Sequence, residues 1–341
     1  MRTSTMVALI AAGVAACIGA AVANKSAAAP SPQTPQPLAG TPIDRTKPSP
    51  LVAVRAPAGF GDRAFAHVRA ITEFGPRHPG SPGWTAQLDY LERRLAEHGL
   101  ESKRDTWTDR KELITFTNLS VTIPGKRKER IVLACHHDTK CTQNHPTPEH
   151  NFHFVGANDG ASGTAVLLEL APVLKQMAHE ATIELVFLDG EESLDWDWNG
   201  AARALFGSKR FVKRHRDALL VGDEPRIEAL ILLDMVGRTD LHIQEELYST
   251  VRLREILWSA AVACGHQQSF FQHAEAASDD HVPFLDVGIP AVDLIDLHGN
   301  PHWHKPTDTI ENMSPASLQI VGDVVLTMLP EVERVYVLRK D

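Results

Sequence analysis

From residue 115 onward the chain alternates short apolar runs with longer stretches in which apolar residues recur every three or four positions. The runs at 131–135, 183–188, 229–233 and 291–295 are nearly continuous in Ile, Val, Leu and Ala. That is the pattern of strands buried on both faces, not of strands with one wet face. Residues 163–176, 205–215, 253–264 and 315–329 carry helical spacing between and after them. Two more helices are predicted upstream, over 63–74 and 85–98; in the second, Leu88, Leu91 and Leu95 form one face and Gly99 supplies the stop. Between these two helices, the nine residues from Gly75 to Gly83 contain so much Gly and Pro that only a loop fits. Residues 115–123 read as a further strand, and hairpin pairing near 115–135 would make the sheet mixed. The pattern therefore predicts α/β architecture. We expect a single three-layer sandwich over 56–341, with a mixed, mostly parallel central sheet and helices on both faces.

The first 55 residues stand outside that pattern. Arg2 and the apolar run 6–16 read as an export leader, too short to span a bilayer comfortably. Two processing outcomes are open: cleavage after Ala21-Val22-Ala23, or lipidation of Cys17 in the lipobox-like Val14-Ala15-Ala16-Cys17. Residues 24–55 are rich in Ala, Pro, Ser and Thr and read as a flexible tether. The expected location is outside the cytosol: periplasmic, envelope-anchored or secreted. No membrane span is predicted, and a monomer is favoured.

Composition narrows the partners. The balance is globular, with 43% hydrophobic and 23% charged residues, and a formal charge of -9 argues against nucleic acid as a partner. Beyond the leader three cysteines remain, Cys135, Cys141 and Cys264, which allow one bridge, Cys135 to Cys141 being the nearest pair in sequence. None forms a C-x-x-C pattern, so zinc ligands, if any, would be His, Asp and Glu.

Those residue types recur at one place in each strand unit. His136, His137 and Asp138 follow the run 131–135; Asp189, Glu191 and Glu192 follow 183–188; Asp234 follows 229–233; Asp296, His302 and His304 follow 291–295. Ligands of open α/β sheets bind at the carboxyl ends of the strands, so these groups should converge. Asp159, in Asn158-Asp159-Gly160-Ala161-Ser162-Gly163, precedes a helix and is either its cap or a ligand. Of the adjacent Glu191 and Glu192, one can ligate metal while the other works as acid or base. His304 and His302 compete as the late ligand, and His136 with Asp138 could serve a second metal or an outer-shell bond. Asp279-Asp280-His281 is an acidic cluster or a plain turn. Serine chemistry lacks its G-x-S-x-G elbow, and there is no H-E-x-x-H or phosphate-cradling loop.

Taken in order, Gly80-Ser81-Pro82-Gly83, Cys135-His136-His137-Asp138-Thr139-Lys140, Asp159, Asp189-Gly190-Glu191-Glu192, Leu233-Asp234, Asp279-Asp280-His281-Val282-Pro283-Phe284 and Trp303-His304 resemble the glutaminyl-peptide cyclotransferases of animals and their bacterial relatives. These have the zinc aminopeptidase-like fold, and the resemblance runs from about residue 63 to the C-terminus. It implies Asp159, Glu192 and His304 as ligands of one Zn2+, and Glu191 as the catalytic acid/base. It further implies Asp234 and Asp279 as the hydrogen-bonded acids beside it, and Trp196, Trp303 and His136 at the substrate pocket. The implied reaction turns the N-terminal glutamine of a peptide or protein into pyroglutamate and releases ammonia. The alternative is an aminopeptidase of the same fold, with His136, Asp159 and Asp234 on a second zinc that Asp159 bridges to Glu192 and His304. The long segment 193–208 containing Trp196, and Trp303 before His304, fit the cyclases; Asn158–Gly163 and Lys305-Pro306-Thr307-Asp308-Thr309 look closer to the peptidases. The cysteine that pairs with the counterpart of Cys135 in animal cyclases has no equivalent near Gly163 and Thr164.

Overall fold

A computed structural model describes residues 39–198 and 201–338. The expected leader with Cys17, and the first part of the tether, lie outside the described residues. Strands β1 (Ser102–Thr108), β2 (Thr115–Ile123), β3 (Arg130–His136), β4 (Thr182–Leu188), β5 (Ile227–Asp234) and β8 (Ala291–Ile295) form one sheet. Its order is β1-β2-β4-β3-β5-β8, and β6 (Ile243–Glu246) with β7 (Phe270–Glu275) make a separate parallel pair. Strands β4, β3, β5 and β8 run parallel, whereas β2 is antiparallel to both β1 and β4. The sheet is thus mixed and mostly parallel, as the apolar runs predict.

Alternate residues of each inner strand enter opposite cores. Ile131, Leu133, Ile183, Leu185, Ile231 and Leu233 belong to the large core that holds α1 (Phe60–Thr72), α2 (Pro82–Glu97), α3 (Ala161–Gln176), α5 (Val251–Ala263) and α7 (Pro315–Val332). Val132, Val186, Leu230 and Leu232 face the other way, onto α4 (Phe206–Val221) and α6 (Val282–Leu285) through Val212 and Phe284. Both faces are dry, which is why the runs show no polar alternation. Helix α3 lies close on the sheet because Gly163 has no side chain: a Cβ there would stand 2.3 Å from the Leu233 carbonyl oxygen.

Three elements escape the hydrophobic pattern. Strand β1 is an edge strand of mostly polar, solvent-facing residues. In β6, Gln244, Glu245 and Glu246 are polar yet buried, and β7 pairs with it. Part of the Ala/Pro-rich stretch also behaves otherwise than a free tether. Residues 39–55 have no helix or strand, but their backbone is fastened at Gly40 to Leu247, at Ile43 to Glu245, at Ser49 to Ser259 and at Val54 to Thr327. Proline and alanine supply no periodicity, so hydrogen bonds to three side chains and one backbone carbonyl of the body hold this strap in place.

The strap's anchor is the buried Arg254–Glu245 pair, 2.7 Å apart, in which Arg254 also donates to the Thr41 carbonyl. Removing one partner of a buried pair leaves an uncompensated charge, at a cost of about 3–5 kcal/mol. Arg254→Ala should therefore lose about that much stability, read as a shift in the midpoint of denaturant unfolding. An unchanged midpoint would mean that the pair does not hold the strap.

The open question of a Cys135–Cys141 bridge is answered: Cys135, Cys141 and Cys264 are all thiols. Burial pushes the Cys135 thiol up to about 12.

Candidate active site

The carboxyl ends of β3, β4, β5 and β8 open into a cavity of about 670 Å³. Strand β3 is central, and its neighbours β4 and β5 are reached by connections that leave in opposite directions, which opens a crevice above its end. Asp159, Glu191, Asp234, Asp279, Trp196, Trp303 and His304 line the cavity, while Glu192 and His136 are buried immediately beneath. The nine site residues that the resemblance implies are therefore brought to one place.

Within it, Asp159, Glu192 and His304 form one compact buried group whose ligand-type atoms lie within 4.8 Å of one another. His304 Nε2 is 3.1 Å from Glu192 Oε2 and 3.5 Å from Asp159 Oδ2. Asp159 Oδ2 and both Glu192 oxygens are buried without a hydrogen-bond partner. Unpaired buried carboxylate oxygens are costly, and one imidazole nitrogen with two carboxylates is a donor set that suits zinc with a position left open. The residues therefore fit a divalent cation. His302 is not part of the group; its Nδ1 pairs with Thr307 Oγ1 at 3.0 Å. Nor is Asp159 a helix cap, since Gly160 holds the N-cap position of α3, with no side-chain cap.

Local backbone explains the aim of these side chains. Gly190 has φ +68, and a Cβ there would be 2.5 Å from the Phe116 ring, so only glycine makes the turn that sends Glu191 and Glu192 inward. His304 has φ +49, a left-handed backbone that a non-glycine residue keeps mainly where its surroundings demand it. Asp138 accepts the backbone N–H of Glu191 at 3.2 Å and of Glu192 at 3.4 Å, the outer-shell bond open to it from sequence.

His136 belongs to a second group with Asp159 and Asp234. Its Nε2 is hydrogen-bonded with Asp234 Oδ1 at 3.0 Å and lies 3.3 Å from Asp159 Oδ1. Glu191 Oε2 is 3.9 Å from His136 Nδ1. Burial, reinforced by Asp279 and Glu192 and opposed by His136, holds the Glu191 carboxyl well above the usual range. Burial and Asp234 push Asp279 up to about 7. Against burial, His304 and Lys140 hold Glu192 below the usual range, and burial notwithstanding, Glu192 raises His304. The two adjacent glutamates are thus driven in opposite directions, the Glu191 carboxyl upward and the Glu192 carboxyl downward.

The walls are aromatic. Trp303 stacks on His304 with ring centroids 4.4 Å apart, and the Trp196 ring is 6.0 Å from His304. Sequence reasoning missed His150, which lies flat on Trp196 at 3.5 Å, along with Phe152 and Trp198 on the same walls. His150 belongs to the 3-10 turn Pro148–His150, in a loop without periodicity, so no pattern could have flagged it. The buried Lys140 had no role assigned; it donates to the Ser193 and Asp195 carbonyls at 2.6 and 2.8 Å and so holds the segment that carries Trp196.

The model of peptidase family M28 matches residues 118–329. A glutaminyl-peptide cyclotransferase-like protein of Mus musculus is 31% identical over 281 residues, which span 75% of this chain and 72% of that one. The solved structure of an Acidobacteriales bacterium glutaminyl cyclase has a TM-score of 0.71 at 32% identity, covering 83% of this chain and 99% of its own. A leucine aminopeptidase precursor from Bacteroides thetaiotaomicron VPI-5482 has the same TM-score, 0.71, at 27% identity, covering 81% and 99%.

Proposed function

This chain belongs to peptidase family M28 and, within it, to the glutaminyl-peptide cyclotransferases, and we propose that it cyclises the N-terminal glutamine of peptides or proteins to pyroglutamate with release of ammonia. The observation that carries this is the aromatic enclosure: Trp196 and Trp303 both close on His304, beside an intact Glu191. An uncharged glutamine side chain suits such walls, with its γ-amide directed at the Asp159, Glu192 and His304 group.

Zinc held by those three residues would polarise the γ-amide carbonyl. Glu191 takes a proton from the α-amine as its nitrogen attacks the carbonyl carbon of the side-chain amide, forming the ring C–N bond. It then delivers a proton to the departing amide nitrogen, that C–N bond breaks, and ammonia leaves. Asp234 and Asp279 stand beside Glu191 in the cavity, Asp279 pushed up to about 7 by burial and Asp234, and Asp234 engaged with His136. One zinc is favoured over two because His136 and Asp234 already satisfy each other, whereas Asp159 and Glu192 carry the unpartnered oxygens. Export follows from the leader-like residues 1–23, and among the described residues no helix is long and apolar enough to cross a membrane.

The aminopeptidase reading rests on the second group, His136, Asp159 and Asp234. The test offers purified protein a glutaminyl peptide and a leucyl anilide, and measures ammonia and free amine. Ammonia with pyroglutamate is expected; rapid leucine release without pyroglutamate would reverse the assignment.

A further inference from the structure

Two of the three residues of the metal group sit on loops distant in sequence, and one carboxylate ties these loops together. Asp308 lies four residues after His304, buried at 3% exposure. Its Oδ1 accepts the backbone N–H of Asn158 at 2.7 Å and its Oδ2 accepts that of Asp159 at 3.0 Å. Its own carbonyl accepts from Ala157 at 3.3 Å. The other end of the Asp159 loop is held by Arg77, fully buried, whose guanidinium donates to the Val155 and Gly156 carbonyls. Arg77 in turn is fixed through its backbone N–H to Thr139 Oγ1 at 2.8 Å, in the segment that follows β3. The loop is thereby clamped at both ends, and the Asp308 end belongs to the same short segment as His304. Each Asp308 oxygen answers one N–H, so neither an amide nor an alanine can reproduce both bonds.

We propose that Asp308 is the positioning residue of the metal group, setting the spacing of Asp159 against His304 without touching the cation or the substrate. Bonds from two successive N–H groups to the two Asp308 oxygens fix the direction of the Asp159 backbone, and with it the reach of its side chain. Loss of an outer-shell partner typically costs about 10- to 100-fold in metal affinity or activity. The inference rests on the zinc reading above.

The test is zinc affinity of the chelator-stripped full chain, measured by competition with a chromogenic chelator, alongside thermal unfolding of the zinc-free form. Asp308→Ala should bind zinc about 10- to 100-fold more weakly. Cyclisation by that variant should fall at limiting zinc and recover towards the wild-type rate when zinc is in excess. Asp308→Asn keeps the volume and one acceptor, should bind with intermediate affinity, and serves if the alanine variant does not fold. A variant that melts early yet holds zinc with wild-type affinity overturns the inference, because that is what a purely structural residue would do. Wild-type protein that binds no zinc would instead overturn the zinc reading itself.

Discussion

Glu191→Gln should lower cyclisation turnover by about 10³-fold while zinc stays bound. The change is nearly isosteric, and the backbone N–H that Asp138 holds is untouched, so the turn that aims Glu192 survives. What is lost is a carboxyl held above its usual range, the group able both to take the α-amine proton and to return one to ammonia. An amide can do neither. Metal content by atomic absorption, beside ammonia release, separates the two effects: full zinc with wild-type turnover would show that another group moves the proton.

Asp159→Ala is expected to abolish both zinc binding and turnover. Asp159 is the residue common to the two buried groups, and its loss leaves only Glu192 and His304 on one side and only His136 and Asp234 on the other. Because it would touch the cation directly, its removal should exceed the about 10- to 100-fold loss typical of outer-shell changes. Stripping the wild-type protein with a chelator should have the same effect on turnover, and zinc should restore it. Restoration at one equivalent supports the single-metal reading, whereas a requirement for two would bring His136 and Asp234 into the metal set. Retained activity in Asp159→Ala would sink the metal assignment.

The order of strands and helices was legible because both faces of the sheet are dry, which makes Ile131 to Cys135 and Ile183 to Leu188 continuous apolar runs. Edge strand β1, reading Ser-Lys-Arg-Asp-Thr-Trp-Thr, was not, since it is held by pairing with β2 and buries little. Strand β6 was hidden for the opposite reason: Glu245 and Glu246 look like surface residues but are buried as acceptors for Arg254, Ile43, Ser249 and Ala277. Among the site residues, strand-end position singled out the acids and His304. The walls were harder. His150 and Phe152 come from an aperiodic loop, and Asp308 acts through backbone bonds, which leave no trace in residue spacing.

The three unbridged thiols carry a practical consequence. With Cys135 and Cys264 buried and Cys135 reluctant to ionise, no cross-link closes any loop of the described chain. The domain should reach the same fold whether synthesised in a reducing cytosol or an oxidising envelope, and a reducing agent in the buffer should leave its unfolding midpoint where it was.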